Sequence, residues 1–306
     1  MNQKDIATQL NVAPSTICRE LKRNTGQRGY RQGQANELAT QRRHEASAKP
    51  KKMTPQLILM IKEKLEQKWS PEQISGVFKA SKIFISPQSI YAHILVDKKA
   101  GGSIYKNLRH AGKKYNRKSS KTAGRGCIPN RVDITERPKI VERKIRIGDW
   151  EGDTIIGAMQ QGVILSLVDR ASKYTLLAKM DGKYAAQVAA LMQLCLKRLP
   201  KKVEHYTVTF DNGKEFSHHE QITKLTKLKC FFATPYHSWE RGLNEHTNGL
   251  VRQYCPKKSN LNDYTEEYLM FVENELNNRP RKVLDYRTPR EVFLGVKRPQ
   301  PIAIRA

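Results

Sequence analysis

The chain has 306 residues, enough for roughly two domains of about 150 each, and its 38% hydrophobic content excludes a disordered or collagen-like polymer. No run of about 18 apolar residues is present, the opening Met-Asn-Gln-Lys-Asp is not expected of a secretory leader, and five scattered cysteines without a C-x-x-C pair fit a reducing cytosol rather than a disulfide scaffold or zinc finger. The net charge of +27 is uneven: residues 1–150 hold 32 Lys/Arg against 12 Asp/Glu and residues 151–306 hold 24 against 17, as expected of an arm that neutralises phosphates joined to a less basic module.

The first predicted unit covers residues 1–30. Ile6, Ala7 and Leu10 recur at helical spacing, Asn11-Val12-Ala13 reads as a tight turn, and Pro14 opens a second helix with Ile17 and Leu21 inward. Ser15, Arg19, Lys22 and Arg23 then face outward, the pattern of a helix-turn-helix whose second helix enters a major groove. The helix that ordinarily precedes such a pair is missing, so this unit reads as truncated. A second helical DNA-binding region is expected over 31–110. There Ser70-Pro71-Glu72-Gln73 supplies an N-cap, a first-turn proline and a capping-box Gln, and Ser86-Pro87 caps the next helix. Residues 111–140 carry Lys113, Lys114, Arg117, Lys118, Lys121, Arg125 and Arg131 among Gly and Ser, and read as a basic linker along a phosphate backbone.

From 141 to 306 the pattern changes. Strands are expected at 154–156, 163–168 and 174–178, a helix at 184–199, an alternating strand at 206–210, a helix at 218–227 and a strand at 230–233. The β-β-β-α-β-α-β order predicts an α/β core of ribonuclease H-like type, a mixed sheet with flanking helices, preceded by the all-α helix-turn-helix units.

Asp149, Glu151 and Asp153 alternate and so share one face of an entering strand. Asp153 runs into Ile155-Ile156, where an acid is costly unless paired or metal-bound, and Asp211 ends the alternating strand. Hard carboxylate oxygens at neighbouring strand ends suit Mg²⁺. On a helical wheel through 239–254, Arg241, Glu245, Asn248 and Arg252 cluster on one face, and Leu243, Thr247, Leu250, Val251 and Tyr254 lie opposite. Taken singly, each acid is as readily a turn, surface or salt-bridge residue.

The runs W-E-G-D-T-I-I-G, T-F-D-N-G-K-E-F and W-E-R-G-L-N-E-H-T-N-G-L-V-R-Q-Y together resemble bacterial transposases of the insertion-sequence-thirty family. The 33 residues between Asp211 and Glu245, the basic Arg252 seven positions later, and the runs L-N-N-R-P-R-K (276–282) and T-P-R-E-V-F (288–293) extend the resemblance over nearly the whole chain. It implies a D-D-E recombinase with a retroviral-integrase-like core, in which Asp153, Asp211 and Glu245 are catalytic and hold two Mg²⁺ ions, with Mn²⁺ as a substitute. It further implies strand cleavage and strand transfer on double-stranded DNA, at the element's terminal inverted repeats and at a target. Arg252, Arg241 and Asn248 would contact that DNA, a homo-oligomer of at least two chains would bring two ends together, and the protein would act in the bacterial cytoplasm on the nucleoid. Two rivals remain at this point: a decayed transposase that only binds DNA, and a ribonuclease acting on RNA–DNA hybrids.

Overall fold

In the computed structural model the described residues are 2–47, 53–111, 128–180, 182, 184–235 and 237–296. They form two compact units, residues 1–58 and 59–306. In the first, α1 (Gln3–Gln9) is closed by a capping box in which Asn2 and Asp5 exchange hydrogen bonds with each other's backbone N–H. Asn11, in the left-handed region at φ 50°, turns the chain into α2 (Pro14–Asn24), which starts on Pro14. Ile17 is buried while Ser15, Arg19, Lys22 and Arg23 are exposed, as the spacing requires. A two-residue hairpin, β1 (Thr25–Gly26) with β2 (Gly29–Tyr30), leads to α3 (Gln32–Ser47), whose Arg42 donates to the Arg23 carbonyl at 2.9 Å. The first unit therefore runs beyond Tyr30, because α3 packs on α2.

The second unit begins within α4 (Pro55–Glu66) and continues with α5 (Pro71–Ala80) and α6 (Pro87–Lys99). Ser70 and Gln73 form the expected capping box and Ser86 caps α6, so both helices start where the sequence places them. Ile61, Leu65, Ile74, Phe78, Ile90 and Ile94 are buried.

The expected linker needs correcting over 128–140. Ile128 is buried, Phe232 donates its N–H to the Val132 carbonyl at 2.9 Å, and Asp133 pairs with Phe232 as an isolated parallel bridge. Arg137 is buried and donates to Thr209 Oγ1 at 2.7 Å. These residues lie on the sheet because its outermost strand offers unpaired backbone groups there. A one-turn helix, α7 (Lys139–Glu142), follows. The remainder of the basic run, with Lys113 and Lys114, falls outside the described residues.

The sheet comprises β3 (Asp149–Ile156), β4 (Val163–Asp169), β5 (Thr175–Met180), β6 (Thr207–Phe210) and β7 (Lys229–Phe232), in spatial order β5-β4-β3-β6-β7. The first three strands form an antiparallel meander, and β6 and β7 run parallel to β3. This is the mixed topology of a ribonuclease H-like core. Helices α8 (Ala185–Lys197) and α9 (His219–Thr226) lie between the later strands. Their Val188, Met192, Cys195 and Ile222 share one core with Trp150, Leu165, Leu167, Val208 and Phe210.

The opposite face of the sheet is covered by α10 (Gly242–Val251) and α11 (Glu266–Asn278), where Leu250, Val251, Leu269, Val272 and Leu276 pack with Ile155, Ile164 and Leu177. The period-two alternation of β3 thus splits it: Trp150 enters the first core, and Asp149, Glu151, Asp153 and Ile155 face α10. Along the edge strand β5, the Asn277 side chain accepts from Thr175 N–H and donates to Thr175 C=O, both at 2.8 Å, and Glu273 accepts from Leu177 N–H. Side chains of α11 therefore satisfy backbone groups that an edge strand leaves open. The short helix α12 (Pro289–Phe293) places Phe293 against Trp150 and Tyr174.

Candidate active site

The parallel register of β3 with β6 builds the site. Asp149 pairs with Thr207 and Glu151 with Thr209, so two further residues bring Asp153 level with Asp211, just past the end of β6. Period-two alternation keeps Asp211 on the same face as Thr207 and Thr209. The two carboxylates meet on one cation: Arg241 Nη2 lies 3.0 Å from Asp153 Oδ1 and Arg241 Nη1 lies 3.2 Å from Asp211 Oδ2. Burial raises the Asp153 carboxyl above its usual range and the Asp211 charge adds to the rise, while Arg241 opposes both.

Each acid is also held from its own strand end. Thr154 N–H donates to Asp153 Oδ1 at 2.9 Å, and Asn248 Nδ2 donates to Asp153 Oδ2 at 2.7 Å. Asn248 Oδ1 in turn accepts from Ser166 Oγ on β4 at 3.1 Å, which fixes the amide orientation. Gly213 N–H donates to Asp211 Oδ1 at 2.8 Å, closing the turn after β6. Asn212 is buried, donates to the Ala233 carbonyl at 2.7 Å and accepts from Arg131, so it anchors the turn.

Glu245 stands exposed on the first turn of α10. Its neighbours four residues before (Arg241) and three after (Asn248) both touch Asp153, so it rises from the same side of the helix. The structure thus joins Asp153 and Asp211 and leaves Glu245 on the flanking face. Among the described residues, no three His, Cys, Asp or Glu side chains are gathered closely enough to hold one metal ion.

The other acids of β3 have different surroundings. Asp149 accepts from Arg146 at 2.7 and 2.9 Å and from Thr207 Oγ1 at 2.8 Å. Glu151 forms an ion pair with Arg170 at 2.7 Å, both side chains 2% exposed, and its second oxygen accepts the Asn244 N–H. Asn244, wholly buried, donates to the Gly152 carbonyl at 3.2 Å. Sequence reasoning passed over Asn244 and Asn277; the signal was a polar residue inside an otherwise apolar helical face. Glu215, which accepts from Thr154 Oγ1 at 2.8 Å, was likewise not singled out.

Arg252 lies away from the acids, donating to the Ile156 carbonyl at 2.5 Å and to the carbonyls of Cys255 and Pro256 at 3.4 Å each. It ties the end of α10 to the end of β3. His219, which opens α9, is buried with Nε2 3.0 Å from the Pro129 carbonyl.

Two hard carboxylates converging on one positive group are a donor set that a divalent cation fits. No helix among the described residues is long and apolar enough to cross a membrane. No family profile matches the chain. It is 44% identical over 296 residues to the transposase for insertion sequence element IS4351 of Bacteroides fragilis, covering 96% of this chain and 90% of that protein. It is 38% identical to the transposase InsI for insertion sequence element IS30A of Escherichia coli (strain K12), with 96% and 79% covered. The transposase for insertion sequence element IS1086 of Cupriavidus metallidurans is 35% identical, with 95% and 88% covered. Among solved structures, the catalytic core domain of BIV integrase is similar at 22% identity and a TM-score of 0.36, covering 48% of this chain and 94% of that one. The chain belongs to the insertion-sequence-thirty (IS30) family of transposases.

Proposed function

We propose that the chain cleaves and rejoins DNA strands of an insertion sequence, with Asp153, Asp211 and Glu245 as its acidic triad. The observation that carries this reading is the β3–β6 register, which sets Asp153 beside Asp211 on the face covered by the helix of Glu245. Asp153 and Asp211 would hold Mg²⁺, or Mn²⁺ in its place, with Glu245 completing the ligand set. When bound there, two such ions supply a nucleophile activated at neutral pH and stabilise the leaving 3′-oxygen.

The remaining residues position the substrate and the acids. Asn248, fixed by Ser166, holds Asp153 Oδ2 in one orientation. Arg241 presents two N–H groups between the carboxylates, and a guanidinium so placed suits a DNA phosphate once the acids are otherwise neutralised. Arg252 contributes by anchoring α10. No Ser, Tyr or Cys nucleophile is needed, and Cys195, Cys230 and Cys255 are buried with thiols pushed up to about 11 by burial. Ser15, Arg19, Lys22 and Arg23 on exposed α2, with Lys113 and Lys114, would bind double-stranded DNA at the terminal repeats. The helices within 2–47 and 55–99 would be the DNA-reading regions, and the catalytic core would include residues 128–140 with the sheet that follows them. Joining two ends to a target requires at least two chains, working on the nucleoid in the cytoplasm.

Asp153→Asn, Asp211→Asn and Glu245→Gln should each reduce Mg²⁺-dependent strand transfer to background and leave duplex binding in EDTA intact. Full activity in any of them would remove that residue from the triad. A chain that occupies DNA without cutting it is the competing reading, and the Arg241 bridge across both aspartates favours it. Strand transfer by the unaltered protein would exclude it.

A further inference from the structure

Next to the Glu245 face of α10 lies a group of cations that the chemistry above does not use. Arg279 and Arg281, from the L-N-N-R-P-R-K run, are 3% and 7% exposed. Arg109, which follows the one-turn helix Ile104–Asn107, is exposed and lies across α10. Its Nη1 is 3.5 Å from His246 Nδ1, and a Cβ at Gly249 would come within 2.4 Å of its Nη2. Gly249 is therefore the gap in the helix surface over which this guanidinium fits.

Among the described residues, the side-chain hydrogen-bond partners of the buried pair are neutral. Arg279 donates to Gln73 Oε1 at 3.0 Å and to Gln253 Oε1 at 2.7 Å. Arg281 donates to the Leu276 carbonyl at 3.1 Å, and its buried Nε has no partner among the described residues. Glu275 and Tyr254 act on Arg279 through space, but among the described residues no carboxylate comes within ion-pair distance of Arg109, Arg279 or Arg281. Burial, helped by repulsion from Arg109, holds Arg279 down at about 10, and burial, helped by repulsion from Arg279 and Arg109, holds Arg281 at about 9.

Buried cations are ordinarily matched by anions. Here the Arg279 guanidinium is held by two amides and that of Arg281 by a carbonyl, donors are left over, and two exposed groups, Arg109 and His246, stand at the rim. Such forks suit the paired oxygens of a phosphate. We infer that Arg109, Arg279 and Arg281 form a binding site for a backbone phosphodiester of the DNA strand, with Gln73, Gln253 and His246 holding them in place. His246 and Gly249 follow Glu245 by one and four positions, one step around α10, and Gln253 stands just past the end of that helix. A strand whose reacting phosphate lies at Glu245 thus passes this patch with a neighbouring phosphate. The choice of DNA as the source of that phosphate rests on the strand-transfer reading above.

The test is binding of the full-length protein to a fluorescent 30-base-pair duplex in EDTA across a salt series. Wild type, Arg109→Gln, Arg109→Lys and Arg281→Gln would be compared, each with a thermal melt. Arg109→Gln should bind about tenfold more weakly near physiological salt. The slope of log affinity against log salt should also fall by about one. Its melting temperature should be unchanged, because Arg109 is exposed, and Arg109→Lys should recover part of the affinity. Arg281→Gln should weaken binding in the same direction, and should it fail to fold, Arg109→Gln decides. Unchanged affinity and slope in Arg109→Gln would overturn the site. So would stabilisation of wild type alone by inorganic phosphate at matched ionic strength with the DNA slope unmoved, which would assign the patch to free phosphate. Binding in EDTA does not depend on the acidic triad, so failure here and failure of the strand-transfer reading are separate results.

Discussion

Asp153 is the residue on which the site turns, and the structure explains why a single amide beside it matters. Its Oδ2 is oriented by Asn248, itself pinned by Ser166. Asn248→Ala should raise the Mg²⁺ concentration for half-maximal strand transfer by about ten- to a hundredfold, the usual effect of removing a group that orients a metal ligand. Duplex binding in EDTA should stay the same, and an unaltered Mg²⁺ dependence would show that the amide does not orient the acid. The alternation of Asp149, Glu151 and Asp153 was legible in the sequence, and so was their common face. Their division of labour was not. Arg146 and Arg170 reach Asp149 and Glu151 from outside the strand, and only the register with β6 determines which acid meets Asp211. Arg252 illustrates the same limit: the helical wheel put it with Glu245, but the chain ends the helix there and carbonyls capture its guanidinium.

At the level of elements, β3 and α10 are clasped by buried polar groups as well as by apolar packing. Glu151 bonds both Arg170 and the Asn244 N–H, and Asn244 bonds the Gly152 carbonyl. Arg170→Ala should destabilise the protein by about 3–5 kcal/mol, because it leaves Glu151 buried without its countercharge. The double variant Glu151→Leu with Arg170→Met should cost less than that single one, as measured by denaturant unfolding. A double variant as unstable as Arg170→Ala would mean that the pair is not coupled. The order of strands and helices was readable because period-two and period-3.6 patterns dominate from 149 onward. Residues 128–140 were misread because Pro129, Arg131, Pro138 and their basic neighbours look like connector, whereas their attachment to β7 runs through backbone groups that no side-chain pattern reports. The edge-covering role of Asn277 was hidden for a similar reason: the groups it satisfies lie a hundred residues earlier, on β5.

Across the whole molecule, the uneven charge seen in the sequence matches where the cations stand. Arg19 and Arg23 are exposed on α2. Replacing both with Gln should lower the salt slope of duplex binding by up to about two, with no change in melting temperature. An unchanged slope would mean that this helix makes no phosphate contact. The family resemblance was carried by short runs spread between residues 150 and 293, which is why it could be read before any contact was known. The contacts that join those runs were not legible. Gln73 donates to the Pro280 carbonyl at 2.6 Å and accepts from Arg279, linking positions more than two hundred apart in the chain. During synthesis, then, α5 emerges from the ribosome long before its seat exists. A message cut short ahead of codon 280 would release polypeptides in which Gln73 lacks both of these partners and α5 keeps only its packing on the neighbouring helix.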